Sequence, residues 1–147
     1  MRPLIFPGAI FLLVAGLVPA RAADSATLVV RLTGLRSDSG RVMVLVYQSE
    51  DGYMKDDRKA VARANADIHG GVARVEIRGL VPGTYALSCF HDENGNGRLD
   101  TNWIGIPKEG VGASNGAKGH MGPPKWKDAH FPVVAPATEH AVKIVYV

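Results

Sequence analysis

The residues whose types and spacing best suit chemistry are Asp92-Glu93-Asn94-Gly95-Asn96-Gly97-Arg98-Leu99-Asp100. Oxygen-bearing side chains fall at the first, third and fifth positions, glycine at the sixth, an apolar residue at the eighth and an acid at the ninth. That order follows the first nine positions of the calcium loop of EF-hand type, which runs to ~12 residues. A hard cation takes about six to eight oxygens, and alternate residues of a tight loop can turn theirs to one centre. The candidate ligands are Asp92, Asn94, Asn96 and Asp100 with the main-chain carbonyl of Arg98, and Gly97 permits the sharp turn. Trp103 stands where a bidentate glutamate belongs, and Glu109 could complete the shell from further along the chain. With carboxylates only at Asp92 and Asp100, affinity should be weak, on the order of 10⁻⁴ to 10⁻³ M. The alternative is a pair of Asn-Gly turns held by Asx hydrogen bonds with no metal. The sequence leaves both open.

Two further groups carry other chemistry. His91, His120 and His130, with Asp92, Asp100 and Asp128, have the donor types for zinc or another transition metal, which would make the chain a metal-dependent hydrolase acting through a bound water. Their spacings match no metal signature. Neither Ser88 nor Ser114 sits in a nucleophile elbow. Trp103 and Trp126 lie among Lys108, Lys118, Lys125 and Lys127. Aromatic platforms beside ammonium groups suit a glycan, a lipid headgroup or another small ligand. On the opposing reading the tryptophans pin a long loop to the fold and the lysines are merely solvated. The candidate binding-surface residues are therefore Trp103, Lys108, Glu109, His120, Trp126 and His130.

The elements that must position these residues repeat with period two. Leu28, Val30 and Leu32 give one dry face, Val42 to Tyr47 is apolar on both faces as in a central strand, and Ala73, Val75 and Ile77 alternate with Arg74, Glu76 and Arg78. The alanines at 60, 62, 64 and 66 fit a strand pattern, although alanine leans towards helix. His69-Gly70-Gly71 reads as a hairpin turn. Tyr85, Leu87 and Cys89 share a face of the next strand, and Val142, Ile144 and Tyr146 share one in the last, Ala141 to Val147. The expectation is an all-β, single β-sandwich of about seven strands (six to eight), without an amphipathic helix. One long Gly-rich loop, about 92 to 128, interrupts it. Loops beyond ~15 residues are usually functional or disordered, and Trp103, Ile104, Ile106, Met121 and Trp126 make this one too apolar for a disordered linker.

Ahead of that domain, Arg2, the apolar run to Val14 and Ala20-Arg21-Ala22 follow the layout of a signal peptide, residues 1–22, cut before Ala23. The apolar run falls short of the ~20 residues of a spanning helix. No cysteine follows the cut, so no stable membrane anchor is expected. Residues 23–147 would form the domain, exported and most simply periplasmic, with an extracellular location as the alternative. The whole chain has 17 Lys and Arg against 14 Asp and Glu; without Arg2 and Arg21 the balance is 15 to 14. No basic stripe interleaved with aromatics runs through the strands, so nucleic acid is not an expected partner. Cys89 is the single cysteine. It excludes an intrachain disulfide, and its place on a dry strand face predicts burial.

Gly79-Leu80-Val81-Pro82-Gly83-Thr84-Tyr85, taken with the calcium-like loop, resembles one edge of secreted transthyretin-like, carboxypeptidase-regulatory-like and collagen-adhesin B-type modules. The longer run from Phe90 through Leu99-Asp100 and Thr101 to Gly110, with Gly122-Pro123-Pro124, resembles a family of small exported bacterial proteins known as domain of unknown function 2141. That resemblance spans about Leu28 to Val147. It implies a bacterial, periplasmic protein with a prealbumin-like Greek-key sandwich and brings no activity or substrate. The reading is a non-catalytic exported binding or structural module. Its loop, with calcium as the one cofactor suggested, would meet an envelope protein, a glycan or a small ligand. The hydrolase is the alternative.

Overall fold

The structure, a computed structural model, describes residues 24–147. The expected signal peptide and its cut therefore lie outside the described residues. Nine strands follow in order: β1 (Ala26–Thr33), β2 (Arg41–Tyr47), β3 (Ala62–Ala66), β4 (Ile68–His69), β5 (Val72–Leu80), β6 (Gly83–Asp92), β7 (Val111–Ala113), β8 (Phe131–Val133) and β9 (Ala137–Lys143). They form two sheets. One has the order β4-β5-β1-β9; the other runs β3-β2-β6-β7, with β8 paired to the start of β6. The all-β sandwich is thus as expected. The strand total exceeds six to eight because β4, β7 and β8 are only two or three residues long, too short to leave a periodic signature.

Alternation explains the packing. In β1 Leu28, Val30 and Leu32 are fully buried while the residues between them face outward. β1 sits between antiparallel β5, with Val30 opposite Val75, and parallel β9, with Val30 opposite His140. From the other sheet, Val42, Val44 and Val46 of β2 and Tyr85, Leu87 and Cys89 of β6 complete the core. Val75 is only partly buried against it. The alanines of 62–66 do form a strand, β3, at the sheet edge beside β2, where cross-strand packing outweighs helix propensity.

β2 is apolar on both faces for a reason the sandwich alone would not supply. Leu45 and Tyr47 point away from the main core into a second cluster with Tyr53, Ala86 and Ala129, against which Met54, Phe90 and Trp126 pack. Tyr47 meets Tyr53 edge-on at 5.4 Å, and Tyr53 meets Trp126 edge-on at 5.7 Å. A single helical turn, α1 (Trp126–Ala129), supplies the lid.

The stretch from 92 to 128 is not one loop. It contains β7, a 3-10 turn at Ser114–Gly116 and most of α1. Ser114 stitches it to the sheet: its buried Oγ accepts from Leu87 N at 3.0 Å and donates to the Ala129 carbonyl at 2.6 Å. Glycine content hid these pieces, because each is shorter than the window over which periodicity can be read. The last strand also differs from its expected bounds. β9 starts at Ala137 because Thr27 to Thr33 offer it a full parallel partner, and it ends at Lys143.

Candidate functional site

The first ligand candidate, Asp92, closes β6 and is fully buried. Its Oδ1 accepts from Asn96 N at 3.0 Å and its Oδ2 from Gly97 N at 2.9 Å. Arg41, opposite it on β2, brings Nε to 3.6 Å. Two backbone constraints make this possible. Gly97 takes φ +77°, and Gly40 takes φ +68° where a Cβ would stand 1.9 Å from the Asp92 carbonyl oxygen.

Asn94 and Asn96 each accept from the amide two residues on, Asn96 N at 3.0 Å and Arg98 N at 2.8 Å. These are the Asx turns such residues favour. Their amide groups donate to Asp100: Asn94 Nδ2 at 2.6 Å to Oδ2, Asn96 Nδ2 at 3.0 Å to both oxygens. Asn94, Asn96 and Asp100 thus meet directly, and Asp92 joins them through the amide of Asn96. Nevertheless, the asparagine groups facing Asp100 are donors. A cation there would have to displace them and take the second lone pairs of oxygens that already hold one N–H.

Glu109 does something its sequence position did not suggest. It is buried, and its carboxylate spans the loop: Oε1 accepts from Glu93 N at 3.1 Å and Oε2 from Asp100 N at 3.0 Å. The residue expected to complete an ion's shell clamps the loop's two ends. Glu93 turns the other way, its carboxylate bidentate to Arg36 at 2.8 and 2.5 Å. That pair holds the Glu93 carboxyl below its ordinary range.

Beyond Asp100 the chain forms a small hairpin, with Thr101 bridged to Pro107 and Lys108 N donating to the Asp100 carbonyl at 2.8 Å. Asn102 fixes its tip, Oδ1 accepting from Ile104 N and Ile106 N at 3.0 and 2.9 Å. The tip holds apolar side chains in water: Trp103 is 95% exposed and Ile104 56%. Lys108 is exposed at its base.

The other candidates separate. His91 is buried on β6, its Nε2 against the Ser39 carbonyl and its Nδ1 against the Tyr146 hydroxyl, both at 2.7 Å. A carbonyl only accepts, so Nε2 carries the proton, and both ring nitrogens are spoken for. His120 and His130 are exposed, and the His130 ring lies 6.0 Å from Trp126. Among the described residues no three His, Cys, Asp or Glu side chains are grouped to hold a metal. Trp126 is half-buried in the second cluster, so one tryptophan pins and the other is displayed. Arg36, Arg41, Asn102 and Tyr146 organise the region without having been candidates. Only Asn102, in an Asn-x-x-Gly turn, carried a local signal.

The family described as "Uncharacterized protein conserved in bacteria (DUF2141)" matches residues 30–141. The chain belongs to this family. The DUF2141 match runs from within β1 to within β9, so it covers both sheets and the whole 92–110 loop. No curated protein and no solved structure matches the chain.

Proposed function

We propose that this DUF2141 protein is a non-catalytic exported binding module, periplasmic in location, that works through its 92–110 loop with calcium as the ion that orders it. The observation that carries the reading is the contrast within that loop. Its frame is tied down by Asp92, Asn102 and Glu109, yet its tip holds Trp103 and Ile104 in solvent. Ordering a loop costs conformational entropy, and exposed aromatics add no core. A fixed apolar tip beside Lys108 is what a partner such as an envelope protein, glycan or small ligand would recognise. The signal-like N-terminal segment supports export.

Calcium is supported by the loop's bringing Asp92, Asn94, Asn96 and Asp100 into one turn, where an ion that displaced the two asparagine amide groups from Asp100 would meet their oxygens. An ion bound only by the folded state raises stability by RT ln(1 + [L]/Kd), about 1.4 kcal/mol at ten times Kd. In a domain this size that is a melting shift of several degrees. Thermal denaturation in millimolar calcium, against chelator, should show it. Asp92→Ala should abolish the shift. Glu93→Ala, which removes an equal charge paired to Arg36 instead, should lower the baseline and leave the shift intact. An unchanged melting temperature in calcium makes the loop a hydrogen-bonded turn.

A further inference from the structure

The second cluster leaves part of the outer face of the β3-β2-β6-β7 sheet uncovered. Tyr53, Ala129 and Trp126 close over Tyr47 and Ala86. At the cluster's edge a groove of about 380 Å³ stays open, within the roughly 300–1,000 Å³ of small-molecule sites. Strand register sets its floor in two rows: Arg63, Leu45 and Ser88 lie opposite one another, and so do Met43 and Phe90. One wall is the segment with Met54 and Asp57; the other is Gly97-Arg98-Leu99, from the loop proposed above as the working side.

Chemistry narrows what such a groove takes. Met43, Phe90 and Leu99 give an apolar bed over the buried Leu45 that a straight chain or flat ring fits, with flexible methionine able to adjust. The charges are uneven. Asp57 is engaged, its Oδ1 accepting from the Tyr47 hydroxyl at 3.2 Å. Arg63 donates one Nη2 hydrogen to the Asp57 carbonyl and keeps its other donors, and the Arg98 guanidinium makes no hydrogen bond or ion pair among the described residues. Both arginines are exposed at the groove. A guanidinium fork matches a carboxylate bidentately.

The geometry points to a binding site for amphipathic monocarboxylates, with the apolar body on Met43 and Phe90 and the head on Arg98 and Arg63. The site rests on the loop being the working side of the domain but not on calcium. Calorimetric titration of the purified protein in chelator with decanoate, below its micelle-forming concentration, should show one saturable site. Amide shifts should centre on Met43–Leu45 and Ser88–Phe90. Arg98→Ala should weaken binding at least about tenfold, and decanol should bind weaker than decanoate by a similar factor. Arg31→Ala, which removes an exposed guanidinium on the other sheet away from the groove lining, should leave binding unchanged. No saturable binding of decanoate, equal affinity for decanol, or shifts centred elsewhere would overturn the site. The titration is repeated in millimolar calcium: a missing calcium shift speaks only to the ion, whereas a decanoate isotherm missing in both buffers overturns the groove.

Discussion

At the scale of single residues, the buried carboxylate of Glu109 ties the 92–110 loop shut, accepting from the amides of Glu93 and Asp100. Asp92, Asn94, Asn96 and Asp100 were legible as a group because their spacing alone encodes a turn with alternate oxygens. Glu109 was not, since its partners are the amides of Glu93 and Asp100, brought to it only when the loop closes. Nothing in a local window distinguishes a buried glutamate that accepts from two main-chain N–H groups from one that faces water. The distinction has consequences. A carboxylate accepting from two amides is among the stronger hydrogen-bonding arrangements, and leaving one main-chain N–H opposed by another donor costs the desolvation of both. Glu109→Gln, nearly equal in volume, swaps one acceptor oxygen for an amide and should destabilise the fold by about 1 to 3 kcal/mol. Urea denaturation would measure it, and a loss under 0.5 kcal/mol, the level usual for an exposed substitution, would mean that Glu109 is not a clamp (about 0.5 being the surface norm).

At the scale of elements, most of the longer strands were readable, β9 only with shifted bounds, and the shortest were not. β1, β2, β5 and β6 have seven to ten residues each, enough for alternation to outvote chance. β7 and β8, with three residues apiece, exist because β6 offers them free edges at its two ends. Their signal lies in β6 rather than in themselves. The apolar residues of the 92–128 region likewise sort only in three dimensions. Trp126 fills the second cluster beside Tyr53, whereas Trp103 tops a hairpin whose geometry is fixed by Asn102. Composition treats the two alike. Their alanine variants should therefore diverge. Trp126→Ala removes half-buried aromatic area and should cost about 1 to 3 kcal/mol, below the ~3 to 5 kcal/mol of a fully buried aromatic. Trp103→Ala should change stability by no more than about 0.5 kcal/mol. Paired melting curves decide it: equal losses would mean that the hairpin tip packs onto the sandwich.

At the scale of the whole molecule, the ionisable groups bias the fold towards neutral and mildly alkaline pH. On the acid side, Glu93 is held below its ordinary 4.5 by the hydrogen bond from Arg36, and Glu76 by those from Arg78 and Arg74. Asp38 is lowered by the amides of Gly71 and Gly70, and Asp56 by the Arg58 side chain. A lowered acid contributes stability above its unfolded value and loses it as pH falls through the folded one. His140, stacked on Phe131 at 3.9 Å, is lowered from 6.5 by burial, so the unfolded chain takes its proton first and stability begins to fall below 6.5. The alkaline side has the opposite sign. Burial pushes the Cys89 thiol from 9.0 up to about 12, and burial with the nearby Asp57 charge raises Tyr47 from 10.0 to about 12. Each is neutral in the fold, so its contribution is whole below the unfolded value and is lost as pH climbs towards the folded one. These shifts together place a plateau of stability between 6.5 and 9.0. The acid shoulder should come in two steps, the first from His140 and the second from the carboxylates. His140→Phe removes the titrating ring and keeps an aromatic against Phe131, so it should erase the upper step and leave the lower one in place. Melting temperatures across the pH range would show this, and a maximum below pH 5, or an upper step that survives in His140→Phe, would mean that His140 is not the group that burial holds neutral.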